Sequence, residues 1–223
     1  MHRHFALALL LAAPSLNAEE PASALVDKVV AAYGGPKALD AARAVRQTGS
    51  LLSPLRGKGR LVREFERPAF LRVEIAYADS GEVRLLDGPR AFRDGAQVTG
   101  PPRDAMALQA ARLDLPALLQ AWKERVRDLG TRQVEGRALH GLELALGEGM
   151  AVVAWIDPAT SRVVRSEGSA QMGPARVAFA TNYSDFRTVS GVLFAFVEDN
   201  FASGQSTGRT VLEKVEIRPP SRR

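Results

Sequence analysis

The 223-residue sequence contains no cysteine. Disulfide staples, thiolate metal ligands and cysteine nucleophiles are therefore excluded, and no cysteine is present to carry an N-terminal lipid anchor. Long apolar runs are also missing: none approaches the roughly twenty residues that a helix needs to cross a bilayer. The run from Phe5 to Ala13 follows His2-Arg3-His4 and is broken by Pro14, Ser15 and Asn17 before Ala18. A basic start, an apolar core of about ten residues and a small residue at the cut are the pattern of a secretory signal. Leu16 is larger than the residue favoured at the third position before such a cut. The expectation is a signal peptide over residues 1–18, cleaved near Ala18. It is followed by one soluble domain over residues 19–223, released into the periplasm.

Histidine is scarce as well. Beyond the leader there is one, His140, beside Leu139 and Leu142. A hydrolase could be built on it, but the sequence has no G-x-S-x-G elbow. No carboxylates stand around it at a spacing that suggests zinc. Gly34-Gly35 is followed by Pro36 and Lys37 without the remainder of a phosphate loop. The carboxylate pair Glu64 and Glu66 sits among basic neighbours and reads as a charge-balanced face. Glu198-Asp199-Asn200 reads as a polar strand end. No catalytic residue, metal site or cofactor is expected, and the protein reads as a non-enzyme.

Basic residues do not cluster, although the net charge is +5. They alternate with acids, as in Arg63-Glu64-Phe65-Glu66-Arg67, and the sole basic block is the terminal Arg222-Arg223. Nucleic acid is therefore not an expected partner.

What the sequence does have is periodicity. Leu25, Val26, Val29, Val30 and Tyr33 recur at helical spacing within a helical stretch, Glu19 to Arg46. Ser23 is a candidate cap, and Gly34-Gly35 stops the helix. Pro36 fits the first turn of a second helix carrying Leu39, Ala42 and Val45. From Gln47 the period becomes two: Leu61, Arg63 and Phe65 oppose Val62, Glu64 and Glu66, and Leu71, Val73, Ile75 and Tyr77 follow the same rule. Hairpin turns fall at Asp79-Ser80-Gly81, Asp87-Gly88-Pro89 and Asp94-Gly95. Residues 101–125 return to helical pattern, split by Pro116, and strands then resume to Ile217. Ten or eleven strands with helical segments give a mostly β, α+β class: one curved antiparallel sheet whose concave face buries the helices.

Three segments carry a family resemblance. They are Ala32-Tyr33-Gly34-Gly35 before a short helix, the strand-turn-strand Trp155-Ile156-Asp157-Pro158-Ala159-Thr160-Ser161-Arg162-Val163-Val164-Arg165, and Tyr183-Ser184-Asp185-Phe186-Arg187 with Val189, Gly191, Val192, Leu193 and Phe194. In this order they resemble the bacterial outer-membrane lipoprotein-sorting proteins, the LolA/LolB-like superfamily. Ala195 before Phe196 departs from the proline often found there. The resemblance implies an unclosed β-barrel with helices as a lid and an apolar cavity for lipid. No ligand-contact residue of that family is carried over to this chain.

The resulting expectation is a monomeric carrier of lipid or of the acyl chains of a lipoprotein, with envelope membrane proteins as further candidate partners. A packed interaction or scaffold module is the alternative, and an envelope hydrolase is the third reading. Candidate cavity residues are Phe65, Val73, Ile75, Leu142, Leu144, Trp155, Phe179, Phe194 and Phe196. Candidate lid residues are Met106, Leu113, Leu118 and Trp122. Strand alternation does not distinguish residues packed in a core from residues facing a cavity.

Overall fold

The computed structural model describes residues 21–147, 149–172 and 175–220. The signal peptide expected over residues 1–18 lies outside them. Two helices open the described chain, α1 (Ala22–Ala32) and α2 (Gly35–Ala41). Six strands follow: β1 (Ala44–Ser53), β2 (Gly57–Glu66), β3 (Phe70–Ala76), β4 (Gly81–Asp87), β5 (Arg90–Arg93) and β6 (Ala96–Val98). Helices α3 (Pro101–Leu113) and α4 (Leu115–Ala121) and a short 3₁₀ turn then precede seven more strands. These are β7 (Arg127–Val134), β8 (Arg137–Gly147), β9 (Met150–Asp157), β10 (Arg162–Met172), β11 (Ala175–Val189), β12 (Val192–Ala202) and β13 (Gln205–Arg218).

All thirteen strands belong to one antiparallel sheet in the order β6-β5-β4-β3-β2-β1-β13-β12-β11-β10-β9-β8-β7. Two meanders of consecutive hairpins are thus joined by one long-range pairing, Ala44 to Arg218 through Leu52 to Arg209. The edge strands β6 and β7 do not pair, so the sheet curls without closing. The segment joining these two edges is the helical insert. Helix α3 accordingly crosses the open side, touching β3, β4 and β5 on one flank and β9 and β10 on the other.

Two-residue alternation decides which side chains face the helices. In β2 the inward set is Gly59, Leu61, Arg63 and Phe65, and in β3 it is Leu71, Val73 and Ile75. They join Val26, Val29 and Val30 of α1, Leu115 and Leu119 of α4, and Leu142, Leu144 and Val152 of the far strands in one core. Each fully buried leucine or valine contributes on the order of 1.5–3 kcal/mol. Trp155 lies on the other face, in a small outer cluster with Leu139 and Val164.

The helical reading at the N-terminus needs two corrections. Val45 belongs to β1, whose first pairs are Ala44 with Glu66 and Val45 with Phe65, so strand pairing prevails over helical spacing. Ser23 lies inside α1 and makes no cap; Pro21 holds that place. The corner at Tyr33-Gly34-Gly35 is as expected. Gly34 has φ +105°, and a Cβ there would stand 2.0 Å from the Gly191 carbonyl oxygen. Gly191 turns the β11–β12 hairpin with Ser190, both at positive φ. The Leu193 amide donates to the Tyr33 carbonyl at 3.5 Å, and the Tyr33 hydroxyl reaches the Val163 carbonyl at 3.4 Å. The three recognisable segments therefore meet at Tyr33 and Gly34. Gly34→Ala should cost at least about 2 kcal/mol, through strain and a backbone clash together. Gly35→Ala, at φ +84° in open space, should cost only about 1 kcal/mol. Urea unfolding of the two variants checks the ranking.

Candidate functional site on the concave face

The inward stripe of β2 includes a charged residue. Arg63 is 3% exposed, and every polar contact it makes crosses the sheet. Its Nε donates to Gln47 Oε1 of β1 at 2.7 Å. Its Nη1 and Nη2 donate to Glu198 Oε2 and Oε1 of β12 at 2.9 and 2.5 Å. Such a two-pronged pair fits the planar guanidinium fork to the carboxylate. Glu198 is 5% exposed in the middle of β12, so it is no strand end. Beside it the Tyr183 and Ser166 hydroxyls share a 2.7 Å hydrogen bond, and Thr181 donates to Asn200 at 2.9 Å. Burial, above all, pushes the Tyr183 hydroxyl above its ordinary range, so it is neutral.

Helix α3 adds Arg112, half-buried, with its Nε and Nη1 sealed from solvent. Its Nε and Nη1 have no hydrogen-bond partner among the described residues. Burial lowers its pKa, against the attraction of Tyr183 and Glu198. Arg112 and Glu198 line both cavities that lie between the helices and the sheet. The larger, about 360 Å³, is bounded by α3 and by β1, β2, β3, β4 and β11–β13. That volume falls within the range of small-molecule sites. The smaller, about 100 Å³, runs under α2 and the α3–α4 junction.

A second arginine closes the smaller cavity. Arg67, at the end of β2, donates to the Leu39 and Ala42 carbonyls at 2.5 and 3.2 Å. Its Nε also stands 2.9 Å from Asp114 Oδ1, between α3 and α4. Burial pushes the Asp114 carboxyl up to about 7, and the neighbouring Arg67 only partly offsets it.

Comparison with solved structures places this architecture. A LolA superfamily protein from Nitrosomonas europaea superposes at a TM-score of 0.51 and 14% identity, over 83% of this chain and 94% of that one. The fold is LolA-like. An outer membrane lipoprotein-sorting protein domain from Vibrio parahaemolyticus aligns at a TM-score of 0.48 and 11% identity, over 88% and 92%. No protein-family model and no curated protein matches the chain. At such identities the likeness concerns the fold and transfers no ligand or residue role.

Within this LolA-type frame the candidate residues separate. Val73, Ile75 and Phe179 line the larger cavity, and Phe65, Phe194 and Leu113 line the smaller. Leu142, Leu144, Phe196 and Met106 are packed in the core, with Leu118 and Trp122 against it. Trp155 faces outward. His140 borders neither cavity; its Nε2 meets Asp128 Oδ1 at 2.6 Å on the β7–β8 hairpin. No cluster of three metal-binding side chains occurs among the described residues. Arg112 and Asp114 were not singled out by sequence, while Arg63 and Arg67 were noted only as part of an alternation of charges and Glu198 only as a polar strand end. The usable signal was a charge inside an apolar alternation, Arg63 between Leu61 and Phe65.

Asp114 has a pH consequence. A carboxyl whose folded pKa is raised binds its proton more tightly when folded, so its contribution to stability falls as pH rises from about 4 through about 7. Between pH 4.5 and 7.5 the wild type should lose more stability than Asp114→Asn, as read by denaturant midpoints at each pH.

Proposed function

We propose that the protein is a non-enzymatic periplasmic carrier that holds acyl chains, of a lipid or a lipoprotein, against the concave face of its sheet. The observation that carries this reading is the cavity of about 360 Å³ under α3, walled by Leu51, Leu61, Val73, Ile75, Phe179 and Phe201. Each methylene moved from water to such a wall gains about 0.8 kcal/mol, so a chain of ordinary length can be held without covalent help. The 100 Å³ lobe is too small for a chain while α3 and α4 are seated, so loading requires these helices to lift. Lifting would separate Asp114 from Arg67, an ion pair that ties the α3–α4 junction to the end of β2. Export fits the leader-like residues 1–18. Among the described residues no helix is long and apolar enough to cross a membrane.

Lipid extraction of the purified protein followed by mass spectrometry should recover acyl lipid in reproducible stoichiometry. A protein that is repeatedly empty and also ignores added fatty-acyl probes would contradict the reading.

A further inference from the structure

Around the larger cavity the charges do not balance. Four guanidiniums border it, from Arg56, Arg63, Arg84 and Arg112, against the carboxylates of Glu82 and Glu198. Both carboxylates are already engaged. Glu82 lies 3.2 Å from Arg56 Nη1 and 3.0 Å from Arg84 Nε, and Arg93 approaches it at 3.7 Å. Glu198 is held in the two-pronged pair with Arg63. Asp114, two residues beyond Arg112, is engaged by Arg67. Gln109, one turn before Arg112 on the same helix face, accepts from Arg84 Nη1 at 3.0 Å. Tyr183 is neutral and bonded to Ser166.

Arg112 is what remains. It is half-buried, it borders both lobes, and its Nε and Nη1, both sealed from solvent, find no acceptor among the described residues. A guanidinium cannot shed its proton at physiological pH, so this site holds a cation whose inner nitrogens lack an acceptor. Leu51, Leu61, Val73, Ile75, Phe179 and Phe201 supply the apolar part of the wall, interleaved with polar side chains. A fully apolar ligand would leave that cation uncompensated, whereas an oxyanion on an acyl chain satisfies the charge and the walls together.

We propose that Arg112 is the docking point for the oxyanion headgroup of a single-chain amphiphile, a carboxylate or a monophosphate, whose chain lies in the larger cavity. This rests on the acyl-carrier reading and specifies its ligand: charged end inside, beneath α3, rather than left outside in water. Arg63 is the poorer candidate, because each of its three nitrogens already donates to Gln47 or Glu198 and its charge is matched by that carboxylate.

The test is calorimetric titration of the purified protein with dodecanoate, dodecyl phosphate and dodecanol, three ligands with one chain length. Wild type should bind at least one of the anions roughly tenfold or more tightly than dodecanol, the range of a charge-assisted hydrogen bond. The better anion tells carboxylate from phosphate. Arg112→Met should remove the preference while still binding dodecanol, and its thermal midpoint should equal or exceed that of wild type, since an unpaired buried charge is gone. Dodecanol binding to wild type as tightly as both anions, or a preference that survives in Arg112→Met, would overturn the headgroup site and leave the acyl carrier standing. Failure of all three ligands to bind wild type would overturn both.

Discussion

The ion pair between Arg63 and Glu198 is the constraint around which the interior is arranged. It joins β2 to β12 across β1 and β13, the seam where the two meanders meet. Taking two charges out of water costs several kcal/mol per ion, and only good geometry with further hydrogen bonds recovers it. The bidentate contact and the Gln47 acceptor supply both. The neighbouring Tyr183–Ser166 and Thr181–Asn200 pairs extend a polar layer through what would otherwise be the deepest part of a hydrocarbon core.

That layer divides the space under the helices. On one side the α2 and α3–α4 segments close over a small lobe, held by Arg67 reaching two carbonyls and a carboxylate. On the other, α3 spans a wider lobe whose walls mix apolar side chains with arginines, carboxylates and amides. Because the sheet is open between β6 and β7, α3 is what covers that side. The proposed carrier would need this arrangement, with the sheet as a wall to receive a chain and the helices as a cover to be displaced.

Much of the fold could be read from the sequence because its information is local. Alternation at Leu61, Arg63 and Phe65 fixed the inward face of β2, and Asp157-Pro158-Ala159-Thr160 marked a reversal whose Asp157 side chain accepts the Ala159 amide at 3.0 Å. Pro116 marked the break between α3 and α4. The candidate site was less legible because its partners are distant in the chain: Arg63 and Glu198 are 135 residues apart. Glu198 looked like a strand end beside Asp199 and Asn200, yet β12 continues to Ala202. Arg112 stood in a helical segment among Leu108, Leu113 and Leu115, where a long cation ordinarily reaches outward to water. Only the crossing of α3 over the sheet turns it inward. Trp155 shows the converse limit: its alternation was clear, but alternation alone does not say which face is concave.

The central claim is that Arg112 places in the concave interior a guanidinium that no carboxylate pairs, and the most direct measurement is a mutant cycle at its centre. Unfolding free energies would be compared for wild type, Arg63→Met, Glu198→Leu and the double variant. Glu198→Leu leaves two buried guanidiniums facing each other, so it should be the costliest, at about 3–5 kcal/mol. Arg63→Met leaves Glu198 to Arg112 and should cost clearly less, and the double variant should lie well below the sum of the singles. Equal single costs that simply add in the double variant would contradict the account.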